Sequence, residues 1–128
     1  MSNDRVALIE CLYQAFGSGD MGTVADLIAD TDWHEAEGMP YGGRYRGSAA
    51  VFENVFARIA GDIEGFSARP DEILPAGDDR VLAVGRYRGT GKAGALDAGF
   101  AHLWTVQDGR ITRFVQYADT HRWREALG

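Results

Sequence analysis

In the N-terminal half of the chain apolar residues recur at helical spacing, and in the C-terminal half they alternate as strands do. Over residues 3–17, Val6, Ile9, Tyr13 and Phe16 form one row with Leu8 and Leu12 beside it, which predicts an amphipathic helix closed by Gly17 and Gly19. Asp20 stands where an N-cap belongs for a second helix reaching about Ala29 and buried through Val24, Leu27 and Ile28. A short strand from Thr31 to Glu35 puts Trp33 and Glu35 on one face and His34 on the other. Gly38-Met39-Pro40-Tyr41-Gly42-Gly43 is too rich in glycine and proline for regular structure and reads as a loop or flap. Ser48 is placed to cap a third helix over 48–60, with Val51, Phe52, Val55, Phe56 and Ile59 as its apolar stripe and Gly61 at its end.

From Glu64 onward the period is two. Strands are expected over 64–75 and 80–90, with a turn at Gly77-Asp78-Asp79, and over both arms of a hairpin that runs from Asp97 to Thr120. Asp108-Gly109 is the turn, since glycine takes the positive φ that a tight primed turn needs. In the first arm Phe100, His102, Trp104 and Val106 share a face. In the second, Ile111, Arg113, Val115, Tyr117 and Asp119 alternate with Thr112, Phe114, Gln116 and Ala118. Thr120 to Leu127 reads as a last helix, capped by Asp119 or Thr120.

Helices followed by a meandering antiparallel sheet define the α+β class, with residues 1–128 expected to form one domain. Three helices cannot cover both faces of such a sheet, so it curls around them or pairs through its exposed face. Gly85, Gly89, Gly91 and Gly94 allow strong bending, and a curled sheet closed by helices leaves a conical hollow. A face carrying aromatics and a few polar groups fits a lined cavity and an ordinary core equally well.

Composition narrows the partners. A net charge of −6 with no basic run argues against nucleic-acid binding. No apolar stretch approaches the roughly 20 residues of a membrane span, and no basic stretch followed by an apolar run marks a signal peptide. The single cysteine, Cys11, excludes an internal disulfide framework and fits a reducing cytoplasm; on its helix it reads as a packing residue rather than a nucleophile. His34, His102 and His121 form no ligand-spaced motif, so no metal site is expected. GTGKAG at 89–94 lacks the strand-to-helix context of a phosphate loop, and no haem or flavin motif is present.

Three segments carry a resemblance: Asp20 after a first helix ending YQAFGSG, PYGGRYRG before a helix, and FAHLWTVQDGRITRFVQYADT near the end. Together they resemble the NTF2-like superfamily and, within it, the SnoaL-like group of polyketide cyclases and small uncharacterised relatives. The resemblance implies a cone of curved antiparallel sheet with helices packed inside it, a homodimer, and an elongated pocket for a small hydrophobic molecule, used without a cofactor. The superfamily includes ketosteroid isomerases, polyketide cyclases and epoxide hydrolases as well as proteins with no chemistry, and the fold does not choose among them.

Position by position, the isomerase pattern places its proton-shuttling carboxylate at the end of the first strand, which by spacing is Glu35. A carboxyl group in an apolar hollow has a raised pKa and suits a general base; the plainer reading is a solvated acid beside Glu37. His102 falls where that family places an oxyanion donor and where the SnoaL-like cyclases have a pocket histidine, or else is a strand histidine bonded to a neighbour. Glu35 and His102 are thus the catalytic candidates, with Tyr13, Trp33, Trp104, Phe114, Gln116 and Asp119 as pocket candidates.

There are departures from the family pattern. The isomerases' helix tyrosine falls on Leu12, and Tyr13 is rotated from it by about 100°. The cyclase acid falls on Gln116, whose amide takes no proton at neutral pH but can orient a ligand or a water. Asp119 lies on the opposite alternation face unless a bulge re-aims it, and doubles as a helix cap. Epoxide hydrolysis needs an Asp-Arg-Asp arrangement; Arg69, Arg86, Arg88 and Arg113 offer the arginine without paired acids. Two functions remain open: cofactor-free proton transfer next to a carbonyl, of isomerase or cyclase type, and ligand binding without turnover.

Overall fold

The computed structural model describes residues 2–128. Helix α1 (Ser2–Ser18) turns at Gly19 into α2 (Met21–Leu27). Asp20 caps α2 as its position predicts, accepting from the Thr23 backbone N–H at 3.2 Å and from the Thr23 hydroxyl at 2.7 Å. The buried stripe of α1 is Ile9, Leu12 and Ala15. Cys11, one residue and so about 100° out of that stripe, is exposed, which removes the packing role expected of it.

Strand β1 (Asp32–Glu35) is followed by a turn-rich connection and β2 (Gly43–Arg46), a short edge strand absent from the sequence reading. The connection is not a flap. Met39 and Tyr41 are buried at 3 % and 0 % exposure, and the Tyr41 hydroxyl donates to Asp62 Oδ2 at 2.8 Å. The helix expected at 48–60 has three parts: α3 (Gly47–Val51), a π-helical turn (Phe52–Phe56) and α4 (Ala57–Asp62). Ser48 does not cap it. Its hydroxyl donates to the Ala25 carbonyl at 2.5 Å and ties α3 to the preceding helix.

Four long strands complete the sheet: β3 (Glu64–Pro75), β4 (Arg80–Gly91), β5 (Gly94–Gln107) and β6 (Arg110–Ala118), with α5 (Thr120–Leu127) after them. The order is β2-β1-β6-β5-β4-β3, antiparallel throughout except for the parallel β1–β6 pair, in a curved sheet that does not close. At the β5–β6 turn both Asp108 (φ 53°) and Gly109 (φ 74°) have positive φ, as a type I′ hairpin requires. A register shift between Thr105 and Val106 brings Ile111 inward, so Ile111 and Phe114 are both buried although strict alternation separates them.

Curvature leaves the hollow on the helix side. Ala83 pairs with His102 and Gly85 with Phe100, so β4 presents small residues to two of the rings of β5. At Gly85 a Cβ would run into the Arg69 carbonyl and Pro70, where β3 carries a bulge. Only glycine fits so close an approach of two backbones.

Candidate active site

Strand register assembles the site. Trp33 of β1 pairs with Phe114 of β6, which pairs with Trp104 of β5; one step along, His102 pairs with Gln116. Trp33 and Phe114 lie with ring centroids 3.9 Å apart, and Trp104 and Phe114 at 4.5 Å. Glu35, two residues past Trp33, projects from the same face of β1 and is 3 % exposed. Tyr13 enters from α1, and the π-helical turn sends Phe56 in from the other side, edge-on to Trp33 at 5.5 Å. These groups line one hollow that leaves about 60 Å³ of free space between them and opens to the surface. Phe16, Phe56 and Phe66 stand where the hollow meets surface depressions between α1 and β3, and so form its rim.

The polar groups are concentrated and connected. Trp33 Nε1 donates to Glu35 Oε1 at 3.0 Å, while Glu35 Oε2 is buried without a hydrogen-bond partner among the described residues. The Ala36 backbone N–H donates to Gln116 Oε1 at 3.0 Å, which fixes the amide so that Nε2 donates to the Tyr87 hydroxyl at 2.8 Å. Tyr87 is hydrogen-bonded to His102 Nε2, and His102 Nδ1 to the Tyr13 hydroxyl at 2.6 Å. Trp104 Nε1 closes the series by donating to the Tyr13 oxygen at 3.0 Å.

Burial sets the protonation states. Desolvation pushes Glu35 up to about 7 from its ordinary 4.5, opposed in part by the Trp33 N–H and by the nearby Gln116 amide, which makes no hydrogen bond to it. Desolvation lowers His102 from 6.5 to about 3, so its ring is neutral at physiological pH. Burial raises both Tyr13 and Tyr87, which keep their protons. The hollow therefore holds one carboxyl group poised between acid and base and a set of neutral donors, walled by aromatic rings. That combination suits proton movement on a bound apolar molecule.

Glu35, His102, Tyr13, Trp33, Trp104, Phe114 and Gln116 all line this one hollow. Asp119 does not: it is exposed, and its carboxylate accepts from the Arg122 backbone N–H at 3.2 Å as the N-cap of α5. Nor do the four candidate arginines line it. Arg86 and Arg88 are paired outside with Asp97, Arg113 is exposed, and Arg69 borders a shallow outer depression. His102 has both ring nitrogens engaged, so the groups placed to donate toward a ligand are the tyrosines beside it. Tyr13 reaches the hollow and bonds His102 Nδ1, while Leu12, one residue earlier, lines the apolar wall. Tyr87 was missed in the sequence. The available signal was its place in the buried row Val81, Ala83, Gly85, Tyr87, since a buried tyrosine hydroxyl needs a partner.

Comparison with known proteins agrees with this architecture. Residues 9–114 match the SnoaL-like domain, and the chain belongs to that family. Its fold is that of the NTF2-like proteins. An NTF2-like protein from Burkholderia thailandensis is similar at 31% identity and a TM-score of 0.88, over 94% of this chain and 95% of that one. Bal32a, from a soil-derived mobile gene cassette, is similar at 26% identity and a TM-score of 0.88, over 99% and 98%. TerC, whose crystals were grown with polyporic acid, is similar at 28% identity and a TM-score of 0.85, over 96% and 97%. No curated protein matches the chain.

Proposed function

We propose that this protein binds a small, mostly apolar molecule in the hollow and that Glu35 moves a proton at a carbon next to a carbonyl, without a cofactor. The observation that carries the reading is Glu35 itself. A carboxyl group buried among aromatic rings, held through Oε1 by Trp33 and with Oε2 unpartnered, is costly to the fold unless a ligand uses it. Aromatic walls favour a flat apolar ligand, and the polyporic acid co-crystallised with TerC is a lead for ligand screening. His102 takes part through Tyr13 and Tyr87 rather than by touching the ligand.

The alternative, a binding module without turnover, is favoured by Gln116. It stands where the cyclases carry an acid and is locked between the Ala36 N–H and Tyr87. We further infer a homodimer built on the sheet face turned away from the helices. There Leu74, Val84 and Tyr117 are 44 %, 38 % and 57 % exposed, and Val84–Ala101–Tyr117 form one row across β4, β5 and β6. Among the described residues no helix is long and apolar enough to cross a membrane. The single cysteine, Cys11, carries our proposal of a reducing, cytoplasmic location.

The test is an NMR titration of Glu35 with and without 4-phenylphenol, an enolate mimic, combined with deuterium exchange at the α-carbon of small apolar ketones. A Glu35 titrating near 7 that shifts with the phenol, and exchange lost in Glu35→Gln, supports catalysis. Binding without exchange selects the binding module. A Glu35 that titrates as a solvated glutamate and ignores the phenol overturns both.

A further inference from the structure

Trp104, Tyr13, His102, Tyr87 and Gln116 form one unbranched series of hydrogen bonds, and both of its ends can only donate. Indole Nε1 has no acceptor capacity, and the Gln116 amide is turned with Nε2 toward Tyr87 because the Ala36 N–H occupies Oε1. Between these ends lie three mobile protons, one each on Tyr13, neutral His102 and Tyr87. There are only two gaps to fill, Tyr13–Nδ1 and Nε2–Tyr87. One hydroxyl proton is therefore left over and points out of the series.

Its place depends on the ring. With the His102 proton on Nε2, that proton goes to Tyr87, Tyr13 donates to Nδ1, and the free proton is on Tyr87. With the proton on Nδ1, Tyr87 donates to Nε2 and the free proton is on Tyr13. In each arrangement the other tyrosine accepts one bond, from Trp104 or Gln116, and keeps a lone pair available. Both tyrosines line the hollow.

We propose that Tyr13 and Tyr87 receive a hydroxyl and a carbonyl of one ligand as a matched acceptor and donor, with the tautomer of His102 deciding which tyrosine plays which part. This rests on reading the hollow as a ligand site, and narrows its ligands to apolar frames carrying one donor and one acceptor oxygen. It also gives a balanced relay. Tyr87 gives its free proton to the ligand carbonyl and takes the proton of Nε2; Nδ1 takes that of Tyr13; Tyr13 takes the proton of the ligand hydroxyl. Four O–H or N–H bonds break and four form. In a ligand whose hydroxyl and carbonyl are joined by conjugated double bonds, the electron pair left by the hydroxyl proton passes along them, so the former hydroxyl becomes the carbonyl and the former carbonyl the hydroxyl. The ring ends as the opposite tautomer, ready for the reverse passage. His102 is here a positioning residue.

The deciding measurement is the ¹⁵N spectrum of His102 in ligand-free protein, wild type and two variants that lose only a hydroxyl. A buried N–H left unpaired costs more than an unpaired nitrogen lone pair, so the proton stays beside the surviving tyrosine. Tyr13→Phe is expected to fix the proton on Nε2 and Tyr87→Phe to fix it on Nδ1. The same tautomer in both variants overturns the switch, and so does a doubly protonated ring in the wild type at pH 7, a result that needs no variant to fold. The ligand half is tested with 4-hydroxybenzophenone and benzophenone. In the double variant Tyr13→Phe/Tyr87→Phe the first is expected to lose roughly tenfold more affinity than the second. Equal losses overturn the matched pair. Opposite tautomers with no binding of either probe to wild type overturn the ligand reading of the hollow and leave the switch standing.

Discussion

Trp33 and Glu35 lie two residues apart on one face of β1, and the indole Nε1 of the first holds Oε1 of the second at 3.0 Å. The pair converts a wall of the hollow into a half-satisfied acid. Replacing Trp33 by phenylalanine keeps the ring against Phe114 but removes the donor that favours the charged carboxylate. Glu35 is then expected to titrate higher still, by about half to one pH unit. Carbon-detected NMR titration of the Glu35 carboxyl in Trp33→Phe reads this directly, and an unchanged midpoint would show that the indole bond does not act on the ionised form.

Glu35 also ties stability to pH. Its carboxyl is raised from 4.5 in the unfolded chain to about 7 in the fold. Below pH 4.5 it is protonated in both states and has no effect. As pH rises toward 7 the unfolded chain ionises first, so stability is lost, by about 3 kcal/mol once pH passes the folded value. Glu35→Gln cannot ionise and escapes the loss. Urea unfolding at pH 5 and pH 8 is expected to show the variant gaining relative to wild type as pH rises.

His102 acts in the opposite direction. Burial lowers it from 6.5 to about 3 in the fold, so below pH 6.5 the unfolded chain takes up a proton that the folded chain refuses. Its contribution to stability is complete above pH 6.5 and falls as pH drops toward 3, by about 3 kcal/mol at pH 4. His102→Gln removes the titration, so the gap between variant and wild type is expected to narrow on acidification. A gap that stays constant from pH 7 to pH 4 would mean that His102 is not buried as a neutral ring.

The hollow was legible because a helix row, an Asp-Gly hairpin and period-two alternation are local signals. Trp33, Trp104, Phe114 and His102 follow from alternation alone once the sheet is known to curl. Gln116 and Glu35 came with the family resemblance. What stayed hidden is set by long-range geometry. Ile111 turns inward through a register shift, the loop at Met39 and Tyr41 is pinned by distant packing, and Ser48 bonds Ala25 instead of its own helix. Tyr87 joins the site through His102 Nε2 on the neighbouring strand and through Gln116, which a backbone N–H from β1's end fixes so that it reaches across the sheet. Local pattern carries no record of such bonds.

Gly85 makes the bend a matter of a single missing methyl. A Cβ there would meet the Arg69 carbonyl and Pro70, both backbone atoms that cannot swing aside. Gly85→Ala is expected to destabilise the fold by about 1–3 kcal/mol, read as a lower thermal midpoint. Gly17, with nothing within 4 Å of an added Cβ and no positive φ, is the contrast: Gly17→Ala is expected to be neutral or to stabilise by about 0.5–1 kcal/mol.

Asp119 separates structural from functional acids at the end of β6. Its carboxylate caps α5 through the Arg122 N–H and lies outside the hollow, whereas α5 buries Trp123 completely against Tyr87 at 5.3 Å between centroids. Losing the cap should loosen the helix by about 1 kcal/mol without moving the ring that supports Tyr87. Asp119→Ala is therefore expected to lower the thermal midpoint by a few degrees and to leave the affinity for 4-phenylphenol unchanged. A loss of affinity larger than the loss of stability would return Asp119 to the site, through a rearrangement of α5 that opens the hollow toward the C-terminus.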